Sequence, residues 1–211
     1  MSHPKKVYLV RHGETMGANA AYVGDPTLTH LGERQASLTA GHLRNLAVTS
    51  VSVSPLLRAQ QTAAPMTRLL GKAPTTLESI TEIELGNYPG DKATGRERPL
   101  IEFAAWGGDS GTEFNQRAIS GFQRVLDDIR GDDHRDIALV SHGGTINVIL
   151  DHVAGLAFDG EMRHLLANCS VSTLEVRSDS VSLVDVNFVD HLPEELITPP
   201  GENLLPGGPS R

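Results

Sequence analysis

The chain has 211 residues, 39% of them hydrophobic and only 4% aromatic, which predicts a single globular domain with a sizeable core. The formal net charge of −8 at pH 7 argues against a nucleic-acid-binding surface, so nucleic acid is not an expected partner. The first residues lack the apolar core of a signal peptide, and no stretch is apolar enough over sufficient length to span a bilayer. We therefore expect no membrane partner and a cytoplasmic location. Cys169 is the only cysteine, which excludes an intramolecular disulfide and a cysteine-based zinc site.

Strands and helices alternate along the chain. Period-two runs predict the strands, and helical spacing of apolar residues predicts the helices. In chain order, the predicted elements are a strand at 6–10, a helix at 30–46, a strand at 50–54, a helix at 59–70, a strand at 75–78, a helix at 112–130, a strand at 137–140, a helix at 144–154 and strands at 171–176 and 181–187. This alternation predicts an α/β fold, a three-layer α/β/α sandwich with a mostly parallel central sheet.

The last part of the chain differs in composition. Residues 191–211 are rich in proline and glycine, which excludes a regular helix or a central strand there. We therefore predict one folded domain over residues 1–190, which would carry any catalytic site. The segment 191–211 is predicted to be a tail that is ordered only where it docks.

Two of the predicted strands end in the same way. The strand at 6–10 runs into RHG, which contains His12, and the strand at 137–140 runs into SHGG, which contains His142. If both strands are parallel neighbours in one sheet, the two imidazoles and Arg11 meet at its carboxyl edge, where open α/β sheets bind ligands. The alternative is that these are two unrelated strand ends whose histidines are satisfied core residues.

These residue types suit a phosphate ester. Imidazoles and an arginine beside glycines, whose backbone N–H groups can approach closely, form a site for a tetrahedral oxyanion. A neutral imidazole can attack phosphorus while positive donors stabilise the charge on the transferring oxygens. Arg58, near the start of a predicted helix, adds a planar fork of donors that fits two phosphate oxygens. The plainer alternative is a solvated arginine on an exposed first turn.

Four ordered motifs resemble those of a known family. They are LVRHGET at 9–15, SPLLRA at 54–59, EIELG at 82–86 and SHGG at 141–144. Further matching stretches are LTHLGERQA at 28–36, GGDS at 107–110 with Arg117 beyond it, and NCSV at 168–171. In this order, from about residue 7 to about residue 188, they are similar to the histidine phosphatase superfamily, the phosphoglycerate mutase-like group. The resemblance implies the fold of that group and phosphoryl-transfer chemistry.

The resemblance also implies a role for individual residues. His12 matches the phosphorylated nucleophile, and Glu82, four residues before Gly86, matches the general acid and base. Glu84 is the other carboxylate considered, since residues two apart in an extended segment share a face. The residues that would hold the phosphoryl oxygens are Arg11, Arg58 and His142. Further phosphate or substrate contacts are expected at Gly143, Thr15 and Asn19, the last of which stands one place later than the asparagine of related mutases.

The implied function is hydrolysis of a small phosphorylated metabolite through a phosphohistidine on His12. No metal or other cofactor is expected, because the histidines show no ligand spacing and the cationic residues supply the positive field. Hydrolysis is favoured over phosphoglycerate mutase-type transfer because residues 86–112 form a short lid, and a mutase needs a closed one to retain its intermediate. The other alternative is a noncatalytic phospholigand-binding module, but pure binding would not need the proton donor Glu82.

Substrate selectivity is expected to come from the segment between Gly86 and Thr112. Its cationic residues Lys92, Arg96 and Arg98 would hold a second anionic group or simply form a solvated loop. The sequence makes no prediction of the oligomeric state.

Overall fold

The computed structural model describes residues 4–15, 25–87, 103–131 and 136–198. The strands in these ranges are β1 (Lys5–Arg11), β2 (Val48–Val53), β3 (Thr75–Thr76), β4 (Asp136–Ser141), β5 (Val171–Val176) and β6 (Val181–Phe188). The α-helices are α1 (His30–Asn45), α2 (Leu57–Leu70), α3 (Gly111–Gly131) and α4 (Gly143–Val153). Among the described helices, none combines the length and apolarity needed to cross a membrane.

The strands form one sheet in the order β3-β2-β4-β1-β5-β6. The pairs β1–β4, β2–β4 and β2–β3 are parallel, whereas β5 and β6 are antiparallel to their neighbours. β1 lies directly beside β4, with Arg11 opposite Ser141 at their carboxyl ends. The predicted mostly parallel sheet, with its two histidine-terminated strands as neighbours, is therefore confirmed.

Each face of the sheet is covered by its own pair of helices. Side chains alternate along the strands, so both faces carry apolar residues that have to be buried. Val7 and Leu9 of β1 belong to a core cluster with apolar residues of α3 and α4. Tyr8 and Val10, which point the opposite way, belong to the cluster formed with α1 and α2. The predicted three-layer α/β/α arrangement is confirmed.

The bounds of the predicted and observed elements agree to within about two residues, but one strand is half its predicted length. The strand predicted at 75–78 is wrong in its second half, because β3 contains only Thr75–Thr76 and a 3₁₀ turn follows at Glu78–Ile80. Leu77 and Ile80 are both buried, and residues three apart eclipse on one side of a 3₁₀ turn. Both side chains are buried in the cluster beneath α3. This burial outweighs the local preference of residues 77–78 for a strand.

The first part of the predicted tail is docked on the domain. Leu196 is buried, and its carbonyl oxygen accepts a hydrogen bond from Gln35 Nε2 of α1 at 2.7 Å. The Thr198 hydroxyl donates to Asn168 Oδ1 at 2.9 Å. Residues 191–198 therefore make the contacts that order such a segment, and the rest of the tail lies outside the described residues.

Candidate active site

Two histidines meet at the carboxyl edge of the sheet. His12 follows β1, His142 follows β4, and the His12 backbone N–H donates to the Ser141 carbonyl oxygen at 3.0 Å. The centroids of the two imidazole rings are 5.3 Å apart, and their planes are inclined by 55°. His12 is 8% exposed and His142 is fully buried. The predicted meeting of the two imidazoles is confirmed.

The backbone determines which ring nitrogen of His12 carries the proton. Nδ1 lies 2.8 Å from the Gly13 carbonyl oxygen, and because a carbonyl only accepts hydrogen bonds, Nδ1 is the protonated nitrogen. The neutral ring then has its lone pair on Nε2. Asn168 Nδ2 donates to the His12 carbonyl oxygen at 3.0 Å, and the Gly13 N–H donates to Thr62 Oγ1 at 2.9 Å. The loop that follows β1 is therefore held on both sides, and Nε2 of His12 has the free lone pair that a nucleophile needs.

The start of α1 packs against this loop only because two residues lack side chains. A Cβ on Gly13 would lie 2.7 Å from the Gly32 carbonyl oxygen, and a Cβ on Gly32 would lie 2.2 Å from the Glu14 carbonyl oxygen. Both contacts are with backbone atoms that cannot rotate away, so glycine is required at each position. The same close approach lets Gln35 Oε1 of α1 accept a hydrogen bond from the Glu14 N–H at 2.9 Å.

Ser54 orients His142. Its hydroxyl oxygen lies 2.7 Å from His142 Nε2 and accepts a hydrogen bond from the Leu56 N–H at 3.3 Å. Either group can be the donor in the bond between Ser54 and His142. The other ring nitrogen of His142, Nδ1, is buried and has no hydrogen-bond partner among the described residues. Buried polar groups are normally paired, so a bound ligand is a suitable partner for Nδ1.

Two arginine side chains approach the histidines. Arg11 is 4% exposed, and its Nη1 donates to the Leu166 carbonyl oxygen. Arg58 lies in the first turn of α2, where its Nη1 is 3.2 Å from Asp25 Oδ1. These contacts hold two planar guanidinium groups near two imidazoles, a combination that suits the oxygens of a phosphoryl group.

Burial and positive charge keep both imidazoles neutral. The pKa of His12 lies well below the usual histidine value, first because the ring is buried and then because of the charges on Arg11 and Arg58. Burial is also the largest cause of the lowered pKa of His142, followed by the charge of Arg58 and smaller contributions from other cations. At neutral pH, His12 therefore keeps the Nε2 lone pair that a nucleophile requires.

Glu82 lies at the N-terminus of α4, against Gly144. Its Oε2 accepts a hydrogen bond from the Gly144 N–H at 2.9 Å, and its Oε1 accepts one from the Ile83 N–H at 3.0 Å. A Cβ on Gly144 would lie 2.4 Å from Glu82 Oε1, so glycine is needed for the carboxylate to reach the helix.

Glu84 does not share this position. The Glu84 side chain is exposed, whereas Glu82 is partly buried. The segment is not a strand, and the backbone of Glu84 is instead bonded to Asp109: the Glu84 N–H donates to Oδ2 at 3.0 Å, and the Asp109 N–H donates to the Glu84 carbonyl oxygen at 2.8 Å.

Two of the other predicted contact residues, Thr15 and Gly143, lie within the described ranges. Thr15 is buried and forms an isolated antiparallel bridge with Leu28, whereas Gly143 is the first residue of α4. Their contacts with substrate remain predictions. The remaining predicted residues lie outside the described ranges: Asn19, Lys92, Arg96 and Arg98.

Two residues that hold the histidines were not predicted from the sequence. Ser54 and Asn168 both lie within the motifs that carry the family resemblance, but their hydrogen bonds to His142 and to the His12 carbonyl appear only in three dimensions. Across the described residues, no group of three or more histidine, cysteine or carboxylate side chains is placed to hold a metal ion.

Comparison with known families places this site in context. The sequence profile of the histidine phosphatase superfamily (branch 1) matches residues 7–189. The chain belongs to this superfamily. A relative from Yersinia pestis (strain Pestoides F), named "Probable phosphoglycerate mutase GpmB", is 33% identical over 184 residues, which cover 81% of this chain and 84% of that protein.

Solved structures share the fold of this histidine phosphatase superfamily member. "Mycobacterial hydrolase 2" matches with a TM-score of 0.73 at 21% identity, covering 92% of this chain and 94% of that chain. The alpha-ribazole phosphatase from Shigella flexneri matches with a TM-score of 0.71 at 22% identity, covering 87% and 96%. At such low identities the similarity shows the fold alone.

We expect this superfamily member to lose stability as the pH falls from about 7.5 to about 5.5. The pKa values of His12 and His142 are lower in the folded chain than in the unfolded chain. Their stabilising contribution is therefore complete above the unfolded value near 6.5 and is lost as protons bind preferentially to unfolded molecules. Each pH unit below that value costs up to about 1.4 kcal/mol per histidine.

Urea unfolding followed by circular dichroism at both pH values would measure this loss. His142→Gln removes one of the histidines whose pKa is lowered while keeping a side chain that can hydrogen-bond to Ser54. The variant should lose less stability than the wild type over the same pH interval. Equal losses in the two proteins would contradict the prediction.

Proposed function

We propose that this protein is a phosphomonoesterase that hydrolyses a small phosphorylated metabolite through a phosphohistidine on His12. The observation that carries the proposal is the state of this histidine. Its Nδ1 is bonded to the Gly13 carbonyl oxygen at 2.8 Å, which leaves the lone pair on Nε2 of a neutral imidazole close to cationic groups. A covalent intermediate on such a nucleophile divides one difficult displacement into two easier ones.

In the first half of the reaction, His12 Nε2 attacks phosphorus in line with the leaving oxygen. The P–N bond forms while the P–O bond breaks, and protonated Glu82 transfers its proton to the leaving oxygen, which departs as an alcohol. The residues that bind the phosphoryl oxygens and stabilise their charge are Arg11, Arg58 and His142. The bond from Nδ1–H to the Gly13 carbonyl oxygen stabilises the positive charge that builds on the ring.

In the second half, water attacks the phosphorus of the phosphohistidine while ionised Glu82 accepts a proton from that water. The P–N bond breaks, its electron pair returns to Nε2 of His12, and inorganic phosphate leaves. The positive end of α4, where Gly143 is the first residue, supports phosphate binding in both halves. Thr15 and Asn19 are proposed as further substrate contacts.

A phosphoglycerate mutase reaction is the second candidate, and the name of the Yersinia pestis relative at 33% identity favours it. Both reactions share the phosphohistidine and differ in whether water or a second alcohol removes the phosphoryl group. The short segment between Gly86 and Thr112 supports hydrolysis, because a mutase must exclude water from its intermediate. A noncatalytic binding module is less consistent with Glu82 at the N-terminus of α4, since binding alone needs no proton donor.

A screen of phosphate release tests the proposal. The esters should include sugar phosphates, phosphoglycerates, nucleotides and phosphopeptides. We expect sustained release from at least one small phosphorylated metabolite, together with an acid-labile, base-stable phosphoenzyme after rapid quenching. Interconversion of phosphoglycerates much faster than phosphate release would establish the mutase instead, and binding of an ester without turnover would establish the noncatalytic module.

Activity is expected to be independent of divalent metal ions. Arg11, Arg58 and His142, with the backbone donors of α4, are proposed to supply the positive field that a metal would otherwise provide. Exhaustive chelation followed by gel filtration should leave the rate of phosphate release within about twofold of its starting value, as expected where the protein's own donors supply that field. Loss of activity that one metal ion specifically restores would show that the positive field has been assigned incorrectly.

A further inference from the structure

Arg117 of α3 binds the segment that carries Glu82. Its Nη1 donates to the Thr81 carbonyl oxygen at 2.9 Å and to Thr81 Oγ1 at 2.5 Å, and its Nη2 donates to the Glu82 carbonyl oxygen at 3.4 Å. Residues 81–85 belong to no helix or strand, so no regular backbone ladder fixes them. The guanidinium group supplies bonds that such a ladder would otherwise make.

Asp109 holds the same segment on the other side of Glu82. It makes two hydrogen bonds with the backbone of Glu84, one from its own N–H at 2.8 Å and one to its Oδ2 at 3.0 Å. The same Oδ2 accepts a hydrogen bond from Arg117 Nη2 at 2.6 Å. This ion pair, whose side chains are 25% and 20% exposed, joins the contacts before and after Glu82 into one unit.

The carboxylate of Glu82 is held separately, by the Gly144 N–H of α4 at 2.9 Å. The backbone of Glu82 is therefore fixed from α3 while its side chain is fixed from α4. Proton transfer requires the acid to lie within hydrogen-bond reach of the leaving oxygen, and a displacement of about 1 Å can be costly to a reaction that depends on orientation. Loss of Arg117 would leave the carbonyl oxygen of Glu82 without this bond, and the segment would then be held by Asp109, by Thr145 Oγ1, which donates to the Thr81 carbonyl oxygen at 2.9 Å, and by the contacts of the Glu82 side chain.

We propose that Arg117 is a positioning residue for the general acid, acting through Glu82 rather than on the substrate. The inference rests on the proposed role of Glu82. Arg117 also has a second effect, because its charge is the smallest of the contributions that lower the pKa of His142. The two effects differ in how the loss of rate depends on the leaving group of the ester. A change at His142 acts on the phosphoryl group and affects all esters alike, whereas a misplaced acid affects only esters whose leaving oxygen needs a proton.

The experiment is single-turnover phosphoenzyme formation with glycerol 2-phosphate and with 4-nitrophenyl phosphate. Arg117→Met should slow the reaction of the alkyl ester by about 10-fold or more and that of the nitrophenyl ester by less than about twofold, since nitrophenolate leaves without a proton. Arg117→Lys keeps the charge but lacks the planar fork of donors. The rate of phosphoenzyme formation should therefore fall with the same selectivity for the alkyl ester, but by a smaller factor. Arg124→Met is the matched control, because Arg124 is exposed on the same helix, and it should change neither rate.

A double variant shows whether Arg117 acts through Glu82. Glu82→Gln combined with Arg117→Met should be no slower than Glu82→Gln alone, because no acid remains to be positioned. Additive losses, or equal losses for the two esters, would overturn the inference while leaving the proposed function intact. If Arg117→Met does not fold, Arg117→Lys carries the same comparison. Failure of the wild type to form a phosphoenzyme with either ester, or with any ester in the screen, would instead refute the proposed function and this inference with it.

Discussion

Replacing His12 by alanine should abolish the phosphoenzyme and slow phosphate release by at least about 10³-fold, because the bond to phosphorus is proposed to form at this ring. The substitution removes the Nε2 lone pair but leaves the backbone contacts of the loop in place, including the bond from Asn168 to the carbonyl of residue 12. Rapid quenching after mixing with a labelled substrate, followed by peptide mapping, measures the intermediate directly.

The matched control is His152→Ala, since His152 is an exposed histidine in the last turn of α4. This variant should keep both the phosphoenzyme and the wild-type rate. Phosphate found on a serine, or full activity in His12→Ala, would end the proposed mechanism. Loss of the intermediate with an unchanged rate of release would mean that water attacks the substrate directly.

Glu82→Gln should slow phosphoenzyme formation from sugar or alkyl phosphates by roughly 10²-fold or more, because an alkoxide needs a proton to leave. The same variant should spare 4-nitrophenyl phosphate, whose leaving group is far less basic. Glutamine retains an oxygen that can accept the Gly144 N–H, so the substitution removes the transferable proton with little change in packing. Single-turnover measurement is required because the water step also uses this carboxylate.

Glu84→Gln supplies the comparison for this prediction. Glu84 is exposed and lies two residues along the same segment, so the variant should leave both leaving groups unaffected. A larger effect at Glu84, or equal losses for the two esters in Glu82→Gln, would show that another group is the general acid. Thermal unfolding of both variants would show that neither result comes from a loss of folded protein.

Much of the fold could be predicted because its signals are local. Alternation along β1 places Val7 and Leu9 on one face of the sheet and their neighbours on the other, which any buried strand requires. The start of α1 is also encoded locally, since Thr29 Oγ1 accepts a hydrogen bond from the Gly32 N–H at 3.0 Å as an N-cap. The end of β3 could not be predicted in this way, because burial of Ile80 beneath a distant helix determines it.

The candidate site likewise has features that the local sequence predicts and features that depend on contacts between distant segments. Its main side chains were recognisable from motifs in which each histidine follows a strand directly. The choice between Glu82 and Glu84 rested on the family resemblance, and the structure adds a contact of the Glu82 carboxylate with Gly144, 62 residues away. Residues of the site that fall outside the described ranges remain predictions from the sequence.

The sequence by itself determined the order of the strands and helices along the chain and the two strand ends that carry His12 and His142. It also determined the family to which the chain belongs. These features depend on residues that are close together along the chain. Tertiary structure alone decided which groups hold the His142 ring and the Glu82 carboxylate. The reason is that each of those properties depends on a hydrogen bond between segments that are distant in sequence, as between Ser54 and His142, which are 88 residues apart; only folding brings such groups within reach.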